Sequence, residues 1–293
     1  MQEKESMEVF NKQNNKYYSS NTSGAFTENG VADILVSNVP LQKAILSFIE
    51  QKTEAQKIKL FEIASGKRLN RWEIIHQELA SQTHKAWDVT LSDFTSVALP
   101  SQNLLAKLDC SFLKIKNAPT PVDISKELPK PEWLDSESKF NAVLTSYGFD
   151  SVWAKEDARY EKIGKAVFKN FELTDLSKQE YGDYIQAFLD ATHQEENTAI
   201  NFAGGMLARI NELFENYIEP NGFFISIDIT EPINDHLFSA GAAFKLENYK
   251  VLVPILEDKG YKVELYSLNA FIEMMGQSTP INLEDHSVLF VTK

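Results

Sequence analysis

The chain has 293 residues, 43% of them apolar, and 42 acidic residues against 29 basic ones give a net charge of −13. That length suits one large domain with insertions or two small ones. The acidic balance argues against a nucleic-acid partner and an anionic membrane surface, both of which call for a basic face. Cys110 is the single cysteine, so no intrachain disulfide is available and a cytoplasmic compartment fits. The first residues are polar and acidic, without the apolar core of a signal peptide. No apolar run approaches the roughly 18 residues that span a bilayer.

In chain order, residues 1 to about 30 are polar and read as an arm, or as a flap over a ligand. Apolar residues then recur at helical spacing from Val39 to Gln51. Residues 1–50 are therefore expected to form an N-terminal arm and helix, a candidate lid, ahead of a main domain over 51–293. Residues 58–64 read as the first strand and 69–83 as a helix with one buried stripe. A second strand is expected over 87–92, a short helix from Pro100 to Leu108, and a third strand from Cys110 to Lys116. The four prolines between Pro119 and Pro131 make a loop.

Phe140 to Thr145 reads as the fourth strand. Residues 150–195 are charged and aromatic and read as a helical insertion. A long helix follows from Thr198 to Tyr217, closed by Gly222, and then a fifth strand from Phe223 to Ile229. Residues 247–258 read as a helix ended by Gly260. Tyr261–Leu268 and Val288–Thr292 are the last strands, with at most a short helical turn over Ala270–Met275 between them. Alternating strands and helices imply an α/β fold, a mostly parallel seven-stranded sheet with helices on both faces. The close strand–loop–strand ending implies an antiparallel C-terminal strand, as a hairpin at one sheet edge.

The most informative stretch is Lys59 to Arg68, Lys-Leu-Phe-Glu-Ile-Ala-Ser-Gly-Lys-Arg. A short apolar run ends at an acid and passes through a small-residue turn into a helical pattern. An α/β protein presents a nucleotide-like ligand this way at the carboxyl edge of its sheet. The stretch resembles the first motif of the class I S-adenosylmethionine-dependent methyltransferases in a degenerate form. Alternate positions hold Ala64, Gly66 and Arg68, so one of three expected glycines remains. Element order, Asp93 and the terminal strand pair extend the resemblance over roughly residues 40–293.

The resemblance implies S-adenosylmethionine as cofactor. It casts Glu62 as support for the methionine end, with capping of the next helix as the structural alternative. Gly66 lets a ligand approach the backbone. Ala64 stands where glycine is usual, and Arg68 either neutralises the cofactor carboxylate or blocks the pocket. Asp93, 31 residues after Glu62, is placed to accept from a ribose diol. By position, Phe94 is a candidate to stack on adenine and Asn117 to pair with its amino group.

Thr145 ends the fourth strand, which in that family faces the methyl group and the substrate. Tyr147 is the candidate to orient an acceptor. Asp150, ionised at neutral pH without any shift, is a candidate base. His193, beside Glu195 and Glu196, is a third, against the alternative of a solvated histidine at a helix end. Five scattered histidines show no metal-ligand spacing. No Gly-x-Ser-x-Gly elbow and no Walker loop occurs.

The function expected is methyl transfer to a small molecule or peptide, with no nucleic acid, no membrane, and a homodimer as the assembly to test. The alternatives are a catalytically inactive binding or regulatory protein, or a cyclase or isomerase on the same fold. A nucleotide-sugar or NAD enzyme ranks below these because the glycine fingerprint is poor.

Overall fold

The computed structural model describes residues 38–66, 69–79, 85–93, 96, 99–124, 126–135, 138–146, 198–229, 252–279 and 286–293. Seven strands form one sheet: β1 (Lys57–Ile63), β2 (Ala86–Ser92), β3 (Leu113–Asn117), β4 (Phe140–Ser146), β5 (Ile218–Ile229), β6 (Lys262–Ser267) and β7 (His286–Thr292). Their order is β3-β2-β1-β4-β5-β7-β6. Neighbours from β3 to β5 pair in parallel, and β7 runs antiparallel to both β5 and β6. The α/β sheet with a reversed last strand is thus as expected. The last two strands pair antiparallel at one end of the sheet as expected, with β6 outermost and β7 between it and β5. The apolar run of β7, buried on both faces, explains why it takes the inner position.

Helices cover the sheet on both faces. On one side lie α1 (Val39–Lys52), α2 (Asn70–Ile74, continued by a π turn over Ile75–Leu79), the short α3 (Gln102–Leu105) and α6 (Leu268–Met274). The Asn38 side chain caps α1, its Oδ1 accepting from the Leu41 N–H at 2.9 Å. Leu41, Ile45, Phe48 and Ile49 of α1 share one core with Leu60, Phe271 and Phe290. The helix expected at the end of a lid is therefore part of the core, and residues 1–37 lie outside the described residues.

On the other face, α4 (Thr198–Asn216) and the helix α5 (252–258) pack with Phe61, Val143, Phe224 and Leu289. Helix α5 stops at Gly260, where the Tyr261 N–H returns to the Leu256 carbonyl and the Gly260 N–H to the Glu257 carbonyl. The insertion expected over 150–195 lies outside the described residues.

Two boundaries moved for local reasons. β3 starts at Leu113 because the Cys110 N–H donates to the Leu113 carbonyl, closing a turn where a strand was expected. Gly222 does not close the long helix, which ends at Asn216, and instead lies inside β5. A Cβ at Gly222 would meet Ile218 Cγ2 at 2.6 Å and the Asn141 carbonyl oxygen at 2.7 Å. The β4–β5 register shifts at this point, and Asn221 takes a left-handed φ of 67°. Glycine is required there by close approach of two strands.

Candidate functional site

The carboxyl ends of β1, β2 and β4 meet at the point where the strand order reverses, the usual ligand crevice of an open α/β sheet. β1 ends at Ile63, paired with Ser92 on one side and Thr145 on the other. The chain then turns through Ala64 (φ 59°) and Gly66 (φ 61°). Both residues are left-handed, so the two alternate positions of the motif share a backbone state suited to glycine. At Ala64 the glycine-like requirement is conformational, and alanine meets it with strain.

Asp93 fixes this turn. It is buried just past β2, and its Oδ2 accepts from the Gly66 N–H at 2.9 Å. Ser65 adds a second tie, its N–H donating to the Ser92 carbonyl at 3.1 Å. The acid expected at a ribose therefore holds the first turn to the second strand.

Glu62 points toward the α1–α2 side and is buried. Its Oε1 accepts from Arg71 Nη1 at 2.5 Å and its Oε2 from Trp72 Nε1 at 3.0 Å. Arg71 also donates from Nε to Gln42 Oε1 at 2.8 Å and from Nη2 to Ser146 Oγ at 3.2 Å. One guanidinium thus ties α1, β1 and the end of β4 together. Burial pushes the Glu62 carboxyl above its ordinary value, against the opposing pull of the Arg71 charge and the Trp72 N–H. Glu62 was expected either to support a ligand or to cap a helix. It pairs with the side chains of the first turn of α2.

Arg71 is the residue that sequence reasoning missed. Its signal was an arginine inside an apolar helical stripe, between Leu69 and Trp72, where an unpaired cation would be costly.

Asn117 ends β3 and lines a groove of about 540 Å³ with Ser96, Leu99, Pro100, Gln102 and Leu104. Its Nδ2 donates to the Pro100 carbonyl at 2.8 Å. That bond fixes the amide orientation and leaves Oδ1 as a buried acceptor with no hydrogen-bond partner. Thr145, fully buried beside Ser226, also has an Oγ1 without a hydrogen-bond partner among the described residues.

The structure therefore brings Glu62, Ala64, Gly66, Asp93 and Thr145 to one edge of the sheet, with Asn117 at the end of β3. Arg68, Phe94, Tyr147, Asp150 and His193 lie outside the described residues. A further acid, Asp228 near the end of β5, was also missed. It is fully buried and accepts from Ser226 Oγ at 2.5 Å. Its signal was an aspartate two residues after Ser226 inside the mostly apolar run Phe223 to Ile229.

The sheet is Rossmann-like, with β7 as its reversed strand. No family model matches the chain, and no curated protein matches it. Among solved structures it is similar to the plantazolicin methyltransferase BpumL in complex with SAH, at 10% identity over 89% of this chain and 86% of that one, TM-score 0.44. It is similar to a loganic acid methyltransferase with SAH, at 10% identity over 92% and 96% of the two chains, TM-score 0.46. A putative class I S-adenosylmethionine-dependent methyltransferase from Listeria monocytogenes is 12% identical over 91% of this chain and 63% of that one, TM-score 0.43. No described helix is long and apolar enough to cross a membrane.

Proposed function

We propose that the chain is an S-adenosylmethionine-dependent methyltransferase acting on a small molecule or peptide in the cytoplasm. The observation that carries this reading is the groove at the carboxyl ends of β2 and β3. There Asn117 buries an acceptor that has no partner among the described residues. An exocyclic amine is the kind of donor that Oδ1 lacks, and adenine carries one. The residues fit the cofactor at this end.

The left-handed turn at 64–66 lets a ligand approach the backbone of the crevice. At the amino-acid end, Arg71 is the group suited to a carboxylate. Three of the five N–H groups that an arginine carries are committed to Gln42, Glu62 and Ser146. Glu62 acts through Arg71 in this reading, holding its charge at the mouth. Bound cofactor would supply a sulfonium whose methyl is already activated, so the protein has mainly to align an acceptor and exclude water. Thr145 is the described residue nearest the acceptor side by strand position. Tyr147, Asp150 and His193 are the candidates beyond it.

A second reading is favoured by the Glu62 pairing. With both carboxylate oxygens engaged inside the protein, a chain of this fold can have lost cofactor binding and become a regulatory partner. Calorimetric titration with S-adenosylmethionine and S-adenosylhomocysteine separates the two, with NAD as control. The first reading predicts micromolar binding of both and none of NAD. No binding of either to the folded protein would remove catalysis and leave the binding role. Product analysis of a cofactor-binding sample then distinguishes methyl transfer from a cyclase or isomerase.

A further inference from the structure

In a doubly wound sheet both faces are covered, and the crossover between parallel strands is normally a helix. The connection from β3 to β4 departs from this. Among the described residues between Ala118 and Lys139 none is helical, and four prolines punctuate the run. The strap is anchored by Val122, Ile124, Leu128 and Leu134, which pack into the core with α4. It leaves part of the sheet face over β1, β2 and β3 unlike the rest.

Alternation along the strands defines what that strip presents. Ile58 and Leu60 of β1, Trp87 and Val89 of β2, and Leu113 and Ile115 of β3 all enter the core with α1. Their neighbours in sequence face the other way: Lys57, Lys59, Asp88, Thr90, Lys114 and Lys116. Lys114 and Lys116 keep 63% of their side chains exposed and Lys57 keeps 55%. A row of lysines on β1 is therefore separated from a row on β3 by two strand spacings, roughly 9–10 Å.

Asp88 lies between the rows, 2.8 Å from Lys57 Nζ and 3.9 Å from Lys116 Nζ. Asp109 lies 3.6 Å from Lys114 Nζ. Among the described residues, the exposed lysines Lys57, Lys114 and Lys116 thus face two aspartates, Asp88 and Asp109, on a chain whose net charge is −13. Beside them is a groove of about 240 Å³ lined by Lys59, Asp88, Thr90, Lys116, Trp133 and Phe140. Its wall on the β4 side is aromatic: the Trp133 ring sits 6.0 Å from Phe61 and 6.5 Å from Phe140.

We propose that this lysine-edged groove is a docking surface for an extended acidic segment of a partner protein, carrying one apolar residue that seats against Trp133. Thr90 is buried, so the segment lies over the amino-terminal half of β2 beside Asp88, where side chains alternating to opposite sides reach both lysine rows. The exposed pairs to Asp88 are weak and exchange readily for new carboxylates. A long polyanion is disfavoured by the net charge of the chain, whereas a short segment senses mainly the local field within one screening length. The groove opens on the sheet face and meets the proposed cofactor groove at Asn117, which lines both, so the test reads peptide binding without cofactor.

Fluorescence anisotropy of a labelled, terminally blocked Glu-Glu-Leu-Glu-Glu peptide tests it. Saturable binding is expected, at least tenfold weaker both for Glu-Glu-Gly-Glu-Glu and for the protein doubly substituted K114E and K116E. These lysines are exposed, so a thermal melt of the variant should match wild type. Absence of saturable binding, or binding unchanged in the variant, would overturn the proposal. Displacement of the peptide by inorganic phosphate at equal concentration would also overturn it, marking a small-anion site instead.

Discussion

Strands β1 and β2 carry charge in two places, and the contrast between them is instructive. At the carboxyl edge Glu62 and Asp93 are buried and spend their charge inside the protein, on Arg71, Trp72 and the Gly66 N–H. On the open face Lys57, Lys116 and Asp88 meet at similar or longer distances but in water. Similar pairings therefore do different work. The buried set fixes the backbone at the carboxyl edge of the sheet, and the exposed set holds little energy.

The largest expected effect is at Arg71. Arg71→Met leaves the buried Glu62 carboxylate without its cation and should cost about 3–5 kcal/mol in denaturant unfolding. Its pH dependence has a definite sign. Burial already raises Glu62, and removing the guanidinium raises it further. A folded-state value above the unfolded one contributes stability that is full at low pH and is lost as pH rises through the raised value. The variant should therefore lie closer to wild type at about pH 5 than at about pH 8.

Asp93→Ala comes next. It removes a charge-assisted acceptor from the Gly66 N–H, for an expected loss of about 1.5–3 kcal/mol by the same measurement. Ala64→Gly should act in the opposite direction. It relieves a left-handed alanine, worth roughly 1–2 kcal/mol. It also adds about 0.4–1 kcal/mol of unfolded-chain entropy. The net expectation is a stabilisation of about 0.5–1 kcal/mol, with cofactor affinity unchanged or improved. The smallest effect is at Lys57→Met on the open face, within about 1 kcal/mol and absent at 1 M salt, where screening acts over only about 3 Å. A large, salt-insensitive loss at Lys57 would erase the distinction between the two places.

Much of the fold was legible because its signals are local. The apolar runs of β1, β2, β4 and β7 and the helical stripe of α1 were each visible in the chain. The insertion of β7 between β5 and β6 was not, because a strand order is set by pairing partners far apart in sequence. Gly222 was misread for a similar reason. A glycine soon after a helix resembles a cap, and only the approach of Asn141 on β4 reveals its role.

At the site, the sequence placed Glu62, Gly66 and Asp93 at or just past the ends of the first two strands, and the structure has them at the carboxyl ends of β1 and β2. Their hydrogen bonds were not legible. Arg71 is nine residues from Glu62, and Asp93 is 27 from Gly66. Both contacts exist only once β1, α2 and β2 are packed.

In the proposed cofactor site the adenine lies toward Asn117 at the carboxyl edge of the sheet. The most direct measurement is an amide NMR titration of isotope-labelled protein with S-adenosylhomocysteine. Saturable shifts are expected at the Asn117 side-chain amide and at the backbone N–H groups of Ser65, Gly66 and Ser96, with Asp88 and Lys116 unmoved. Shifts confined to the lysine face, or none at the Asn117 amide at saturation, would contradict it.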